Sequence, residues 1–294
     1  MSAKKLKFHK MHQSRLFRLP SPKKLSELLF LSEDGLQHFT KNDEKYKCWN
    51  EPKKSGGERL IEAPFDRLKV VQKRIAELLY RIETPDYVIS PAKNKSYVMN
   101  AAVHRGSKQF YLLDIEDFFP SCRAERVFWF FNKILQCPRD VAAILTKVST
   151  FQGHLPQGSP CSPILAYYAY SDMWNIINKI AIENGCKLTI YVDDITVSGV
   201  SFSLRAISQI KSVISKFGLS ISLRKERGFV NKAAEITGVI VEGNQIKLPN
   251  RQHFKLRLAK SSFSKCKTQK ERDYIVRQIS GRVAQKTQIE SYNI

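Results

Sequence analysis

Two adjacent carboxylates, Asp193 and Asp194, constrain this chain more than any other feature, because they lie between two alternating apolar runs. Residues 187–192 and 195–198 are rich in β-branched side chains, a pattern that predicts two strands. Asp tolerates turn geometry, so the pair is predicted to lie at the tip of a tight β-hairpin. A bare Asp-Asp dipeptide would more often be an ordinary polar turn, so any catalytic role depends on the rest of the chain.

A third acid, Asp114, lies near the end of the apolar run 109–115, which predicts a buried strand. A lone buried carboxylate is costly, so Asp114 is expected to bind a ligand. If the predicted strands lie side by side, Asp114 joins Asp193 and Asp194. Three carboxylates can hold two Mg²⁺ ions, which together stabilise the attacking and leaving oxygens of a phosphoryl transfer.

The net charge indicates the class of substrate. The chain has 49 Lys and Arg against 27 Asp and Glu, a formal charge of +22, which favours a polyanionic partner such as nucleic acid. A membrane surface is the competing partner, but no long apolar segment or signal-like start is found, so we expect no membrane partner and a cytoplasmic location. Arg59 and Lys225 are candidate cations for a nucleoside triphosphate. The six cysteines are scattered and predict reduced thiols.

Over about residues 50 to 250, these elements resemble in order the motifs of reverse transcriptases, which are RNA-directed DNA polymerases. The resemblance implies deoxynucleoside triphosphates as substrates. It is carried by GGERLIEAP at 56–64, LDIEDFF at 113–119, LPQGSP at 155–160, YVDD at 191–194 and Lys225 after Gly218-Leu219, with 236–243 resembling the primer grip.

The resemblance implies a role for each matching residue. Asp114, Asp193 and Asp194 would be the catalytic acids and, with the backbone carbonyl of Ile115, the ligands of two Mg²⁺ ions. Phe119 falls at the sugar-sensing position, the alternative being a plain core residue. Lys225 would lie beside the leaving pyrophosphate, either as a general acid or as a charge contact, and Lys53 or Lys54 would help the fingers arginine. The expected nucleotide contacts are Arg59, Ile115, Asp117, Phe119, Gln157, Gly158 and Lys225.

Two further strings resemble elements of bacterial retron reverse transcriptases. Residues 100–104 (NAAVH) resemble their N-A-x-x-H element, and residues 236–238 (ITG) resemble V-T-G with Ile in place of Val. The resemblance implies a cognate structured non-coding RNA, priming from the 2′-hydroxyl of an internal guanosine, and a branched RNA–DNA product known as msDNA. It also implies an anti-phage defence unit with a separate effector protein.

Several residues are expected to contact RNA or the primer. Tyr191 and Val192 would line the floor under the primer end, and His104 would have a structural or RNA-contacting role in preference to that of a catalytic acid. Basic residues beyond position 250 alternate with apolar ones that we expect to pack inward, leaving the charges for a phosphate backbone. The full set is Asn100, His104, Tyr191, Val192, Thr237, Gly238, Arg251, Lys255 and Arg257.

The expected fold is α+β, a right-hand polymerase with fingers, palm and helical thumb. The palm would be an antiparallel sheet that carries the Asp-Asp hairpin and has helices on one face. The expected divisions are 1–48 for a basic arm and helix, 49–108 for the fingers, 109–248 for the palm with a fingers insertion at about 123–155, and 249–294 for an RNA-binding thumb.

Local patterns give more detailed predictions. A helix is expected at 23–40 with Gly35 at its end, another at 164–182, and a strand at 219–223. Residues 85–105 are predicted to be rich in turns, and Ser121 is a candidate cap for the helix that follows it.

Three other functions remain open from the sequence. An RNA-templated RNA polymerase more often has Gly before its Asp-Asp pair and lacks an aromatic residue at position 119. A non-retron reverse transcriptase would lack the string at 100–104. An RNA- or msDNA-binding scaffold of an effector complex would have no need to retain the three acids.

Overall fold

The computed structural model describes residues 7–41, 45–53, 56–264 and 266–293. The strands found there form three sheets. They are β1 (Tyr46–Pro52), β2 (Glu58–Pro64), β3 (Val88–Ser90), β4 (Gln109–Asp114), β5 (Lys187–Tyr191), β6 (Asp194–Gly199), β7 (Arg227–Val230), β8 (Ala234–Ile236), β9 (Val239–Glu242) and β10 (Gln245–Lys247).

Helices make up most of the remaining structure. A 3-10 helix lies at Met11–Gln13, and a π-helical turn at Phe130–Ile134. The α-helices are α1 (Pro22–Leu29), α2 (Glu33–Lys41), α3 (Asp66–Leu79), α4 (Tyr97–Val103), α5 (Phe118–Ser121), α6 (Ala124–Trp129), α7 (Arg139–Ser149), α8 (Ser162–Ala169), α9 (Ser171–Glu183), α10 (Leu204–Lys216), α11 (Asn250–Phe263) and α12 (Gln269–Ser291).

The central sheet has five strands in the order β3-β5-β6-β4-β7. Four of them run antiparallel, as the sequence predicts, and β3 adds a parallel edge beside β5. Side chains alternate between the two faces of a strand. Leu188, Ile190, Ile195 and Val197 therefore point to one face, where they join the main hydrophobic core with α8, α9 and α10.

The other face of the sheet is also covered in part, which the predicted arrangement with helices on one face did not include. Phe110 of β4 packs there in a second core with Val98 and Ala101 of α4 and residues of the small sheet β8–β10. Ile289, near the end of α12, is fully buried in this second core. The last helix is thus attached to the face of the palm opposite the main core.

The predicted hairpin is confirmed. β5 and β6 pair in register from Lys187↔Ser198 to Tyr191↔Asp194, which leaves Val192 and Asp193 as a two-residue turn. Val192 has a φ of 61°, in the left-handed region that a β-branched residue rarely adopts. Its amide donates to the carbonyl of Ser90 on β3 at 3.0 Å, and this bond ties the turn to the neighbouring strand.

The predicted helix at 23–40 is wrong, because the chain forms two helices there. α1 stops at Phe30, which adopts a left-handed conformation with φ 59° and ψ 43°. The Ser32 hydroxyl accepts a hydrogen bond from the Gly35 amide at 3.0 Å and so starts a new helix. Gly35 lies inside α2 and does not end a helix.

Four other local predictions are corrected. Residues 164–182 are split into α8 and α9 at Tyr170, and Ser121 closes α5 instead of capping α6, whose N-cap residue is Arg123. In the predicted strand 219–223, Ile221 forms an isolated bridge with Ile115. Residues 85–105 include β3 and α4 as well as turns.

The C-terminal helices α11 and α12 form as predicted, but most of their apolar residues do not pack inward. Leu256 is buried, whereas Phe254 is 52% exposed and Leu258 is 50% exposed. Apart from the end of α12, where Ile289 joins the second core, the two helices bury little more than a narrow stripe of each, and the remaining apolar positions stay at the surface. No helix in the described part of the chain is long and apolar enough to span a membrane.

Candidate active site

The sheet register brings the three predicted acids together. Asp114 is the last residue of β4 and is paired directly with Asp194, the first residue of β6. Asp193 occupies the adjoining turn, and its carbonyl accepts a hydrogen bond from the Ile115 amide at 3.1 Å. These backbone contacts fix the three carboxylates on rigid strand ends.

The crowding of negative charge changes the acidity of the site. Asp194 is exposed by surface area, yet surrounding protein desolvates its carboxylate and, with the charges of Asp193 and Asp114, raises its pKa to about 7. Burial and the charge of Asp114 also raise the pKa of Asp193. The cluster therefore favours a bound cation, which removes the repulsion.

Lys225 provides that counter-charge in this structure. Its Nζ donates to Asp114 Oδ2 at 2.7 Å, while Asp114 itself is 5% exposed. Partial burial lowers the pKa of Lys225, but its hydrogen bond to Asp114 and the charges of the three acids outweigh that effect and raise it. The residue that the sequence assigns to pyrophosphate thus reaches the acidic cluster.

The neighbouring Glu226 holds the segment that carries Lys225. Its carboxylate accepts hydrogen bonds from Lys211 Nζ at 2.9 Å and from the hydroxyl of Tyr111 on β4. The carbonyl of Asp114 also accepts a hydrogen bond from the Ser222 amide at 2.9 Å. No local sequence pattern indicates a role for Glu226, because its partners Tyr111 and Lys211 are distant in the chain.

A cleft of about 520 Å³ opens above these acids. It contains most of the predicted nucleotide contacts and adds Glu116, to which the sequence assigns no role. The lining residues that bear on the prediction are Lys53, Arg59, Asp114, Ile115, Glu116, Asp117, Phe119, Gln157, Asp193, Ser222, Arg224 and Lys225. Lys54 lies outside the described residues.

Asp117 and Phe119 form the side of the cleft that follows β4. Asp117 has a φ of 41° and accepts an ion-pair contact from Lys53 Nζ at 3.3 Å, which joins the β1–β2 hairpin to the palm. Phe119 is half-buried against the main core, with its ring centroid 5.8 Å from that of Phe118. It therefore has both a core contact and a surface in the cleft.

Gly158 differs from its predicted role. It does not line the cleft but packs against β2, where a Cβ would lie 2.9 Å from the carbonyl oxygen of Glu62. Its φ of 139° is also unfavourable for other residues. Gln157 does face the cleft, and its backbone carbonyl accepts a hydrogen bond from the Glu62 amide at 2.8 Å.

Of the two roles predicted for His104, the structure supports the structural one, because the side chain is fully buried. Nδ1 lies 2.7 Å from Ser198 Oγ on β6, and Nε2 lies 2.7 Å from Thr189 Oγ1 on β5. Burial lowers the pKa of His104 to about 3, so the ring is neutral. His104 is a structural link between the two strands of the Asp-Asp hairpin.

Asn100 is also buried, at 1% exposure, and so does not reach RNA directly. Its amide donates to Thr237 Oγ1 at 3.3 Å, and the Thr237 hydroxyl donates to the carbonyl of Tyr97 at 3.0 Å. Thr237 and Gly238 form the turn between β8 and β9 with φ values of 47° and 82°. The two strings that resemble retron elements therefore contact each other.

The remaining predicted RNA contacts lie elsewhere. Tyr191 and Val192 are half-buried at the hairpin tip beside the acids. Arg251, Lys255 and Arg257 are exposed on α11, where Arg251 pairs with Glu235 and the Arg257 guanidinium lies 5.6 Å from the Phe254 ring centroid. These positions are accessible, and their contacts with RNA or primer stay predictions.

The donor chemistry of the three acids fits a hard divalent cation such as Mg²⁺. Among the residues that the structure describes, however, no cluster of three or more His, Cys, Asp or Glu side chains is already arranged around a metal position. The Lys225 ammonium contacts one of the two carboxylate oxygens of Asp114, Oδ2. A metal ion bound at that oxygen would compete with Lys225 for it.

Comparisons with known proteins agree with this site. Residues 51–247 match the family model "Reverse transcriptase (RNA-dependent DNA polymerase)". The retron Ec86 reverse transcriptase of Escherichia coli is 29% identical over 221 residues, which cover 73% of this chain and 69% of that protein. The retron Se72 reverse transcriptase of Salmonella heidelberg (strain 579083-10) is 29% identical over 210 residues, covering 68% of this chain and 55% of that protein.

Among solved structures, a foamy viral protease–reverse transcriptase in complex with double-stranded DNA covers 81% of this chain at a TM-score of 0.48. The identity is 15%, and the match covers 35% of the viral chain. The family match spans β2, the Asp-Asp hairpin, the three acids and Lys225. The curated relatives to which the chain is similar include retron reverse transcriptases of Escherichia coli and Salmonella heidelberg. The chain itself belongs to the reverse transcriptase (RNA-dependent DNA polymerase) family.

Proposed function

We propose that this chain copies part of a cognate structured non-coding RNA into DNA. The observation that carries the proposal is the pairing of Asp114 with Asp194, with Asp193 in the adjoining turn. Three carboxylates beside a cleft that contains Arg59 and Lys225 suit the transfer of a nucleotidyl group from a triphosphate.

The chain's own residues would bind and orient the substrates. Arg59 and Lys225 would hold the triphosphate, and Phe119 would pack against the deoxyribose. Asp114, Asp193 and Asp194, with the carbonyl of Ile115, would hold two Mg²⁺ ions. Such ions neutralise the triphosphate and lower the pKa of the attacking hydroxyl.

Lys225 would change partners during this reaction. In the structure it neutralises Asp114, whose carboxylate is buried. If a cation balanced the charge of Asp114, the Lys225 ammonium would be free to contact the pyrophosphate. Its backbone would stay in place, because the Ser222 amide ties the same segment to the Asp114 carbonyl. Both roles left open by the sequence, general acid and charge contact, need the ammonium to reach the pyrophosphate.

The finer proposal is a retron-type reaction. Synthesis would start at an internal 2′-hydroxyl of the RNA and give branched msDNA, which stays bound with a separate effector in a cytoplasmic anti-phage complex. The support comes from the retron relatives and from the contact between Asn100 and Thr237.

We assign the fingers to 49–108, the palm to 109–248 with the insertion at 123–155, and the RNA-binding thumb to 249–294, preceded by an arm and helix at 1–48.

Sequencing the nucleic acid that copurifies with the protein tests this proposal. The gene is expressed with its native upstream DNA, in parallel with a variant carrying Asp193→Asn and Asp194→Asn. We expect a short DNA joined 2′–5′ to RNA, absent from the variant. Linear complementary DNA without a branch would support the polymerase activity and contradict the retron reaction. RNA alone in both samples would favour a binding scaffold.

A further inference from the structure

A buried carboxylate connects the β1–β2 hairpin to the loop that carries Gln157. Glu62 on β2 is 2% exposed, although it lies in a strand whose first residues are exposed. It lines no part of the cleft, and neither the reaction nor the family motifs assign it a role. A buried charge without partners is costly, so the contacts of Glu62 deserve an explanation.

Both oxygens of Glu62 are engaged by residues more than 90 positions away. His154 Nε2 donates to Oε2 at 2.9 Å and lies 3.1 Å from Oε1. The backbone amide of Gln157 donates to Oε2 at 3.4 Å. Because a carboxylate only accepts, the His154 Nε2 must carry a proton here.

The backbone of the same residues forms a second connection. The Glu62 amide donates to the Gln157 carbonyl at 2.8 Å, and the missing side chain of Gly158 allows this close approach. Glu62 and Gln157 are thus joined by one backbone–backbone and one side chain–backbone hydrogen bond. This arrangement fixes the direction in which the Gln157 side chain leaves the loop.

The backbone around His154 is held at two points. Its amide and carbonyl exchange hydrogen bonds with Phe151 at 3.0 and 2.9 Å. The next residue, Leu155, donates to the carbonyl of Cys122, which follows the helix containing Phe119. His154 therefore gives Glu62 a fixed partner on the segment that leads to Gln157.

We propose that Glu62 and His154 act as positioning residues for nucleotide binding. Glu62 lies three residues after Arg59 on β2 and holds Gln157, and both Arg59 and Gln157 line the cleft. The pair sets the distance between these two proposed nucleotide contacts. This inference rests on the proposed function, because it requires Gln157 to contact the incoming nucleotide.

Steady-state incorporation of a single deoxynucleotide on an RNA template tests the pair. Glu62→Ala removes both contacts, and we expect KM for the nucleotide to rise about tenfold with kcat changed less than about twofold. Glu62→Gln retains one acceptor oxygen and should recover much of the affinity. His154→Ala should raise KM in the same direction, and the double variant should cost little more than either single one.

Two controls separate positioning from general destabilisation. Asp172→Asn breaks the partly buried ion pair with Arg126, outside the cleft, and should lower Tm without changing KM. Gln157→Ala should raise KM by itself, and in that background Glu62→Ala should add little, because Glu62 acts through Gln157.

The results for Glu62 and Gln157 distinguish the positioning role from the proposed nucleotide contact. An increase in KM for Gln157→Ala with none for Glu62→Ala would overturn the positioning role and leave the proposed nucleotide site intact. Unchanged KM in both variants would overturn the positioning role and the assignment of Gln157 as well. A lowered Tm with unchanged KM for Glu62→Ala would reduce the pair to a structural contact.

Discussion

The Nζ of Lys225 lies 2.7 Å from Oδ2 of Asp114, so the proposed pyrophosphate contact is paired with a proposed metal ligand. The two residues are 111 positions apart and meet because Ser222 donates to the Asp114 carbonyl. The ion pair compensates the charge of a buried carboxylate, a role that a bound cation would share.

Substitution of Lys225 distinguishes its two possible roles. Lys225→Met should lower the rate of incorporation by about 10²-fold or more, because it removes both charge and proton. Lys225→Arg retains the charge but cannot release a proton at neutral pH. A recovered rate in the arginine variant would assign a charge contact, whereas a loss equal to that of Lys225→Met would assign a general acid. Single-turnover kinetics measures both, and a wild-type rate in Lys225→Met would contradict either role.

The acidic cluster predicts an unusual pH dependence for the metal-free protein. The pKa of Asp194 is raised from 3.8 to about 7, so its contribution to stability is fully present below pH 4 and is lost as the pH rises through 7. Thermal melts in a chelator should show this loss, and Asp194→Asn should remove it. Added Mg²⁺ should also raise Tm near pH 7. A wild-type protein and an Asp194→Asn variant with the same pH profile would contradict the account.

For His104 we expect the opposite dependence of stability on pH. Burial lowers its pKa from 6.5 to about 3, so its contribution is present above pH 6.5 and is lost as the pH falls toward 3. His104→Gln should flatten the acid side of the stability curve, at a cost in stability at pH 7 of roughly 1–3 kcal/mol for the disrupted hydrogen bonds. Thermal melts of His104→Gln and Asp194→Asn, recorded side by side, separate the contributions of the two residues to the pH dependence of stability. If His104→Gln loses stability at acidic pH as wild type does, other groups control that loss.

Phe119 predicts the choice between deoxy- and ribonucleotides. Its half-buried ring reaches the cleft, where a 2′-hydroxyl would clash with it. Phe119→Ala should raise the relative efficiency of ribonucleotide incorporation by about tenfold or more, while Phe119→Leu should have a smaller effect. Competition between the two nucleotides measures the ratio. Unchanged selectivity would make Phe119 a core residue alone.

The positions of the three acids at the ends of strands could be predicted, because local sequence patterns determine those strands. Alternation in the segments around Asp193 and Asp194 predicted the hairpin, and the apolar run before Asp114 predicted its neighbour. Two strands of opposite direction then place the acids at one edge of the sheet. The two-residue turn allows a single register in which Tyr191 faces Asp194.

The contacts that the sequence did not reveal join residues far apart in the chain. Nothing in the sequence predicts the burial of Glu62, whose partner His154 lies 92 positions later. The sequence leaves a structural and an RNA-contacting role open for His104, which is buried because α4 packs on the sheet face opposite the main core. Local periodicity does not reveal such long-range pairings. The break at Phe30 is a local feature that was also missed, because helix propensity does not indicate a left-handed residue there.

Primer extension on an RNA template with purified protein tests the central claim most directly. Wild-type protein with Mg²⁺ should extend the primer with deoxynucleotides. Asp114→Asn, Asp193→Asn and Asp194→Asn should each reduce extension by at least about 10³-fold, since each removes a charge that the transition state requires. RNA affinity, measured in parallel, should stay within a few fold of wild type. Extension by the three variants at the wild-type rate, or none by any protein that binds RNA, would contradict the account.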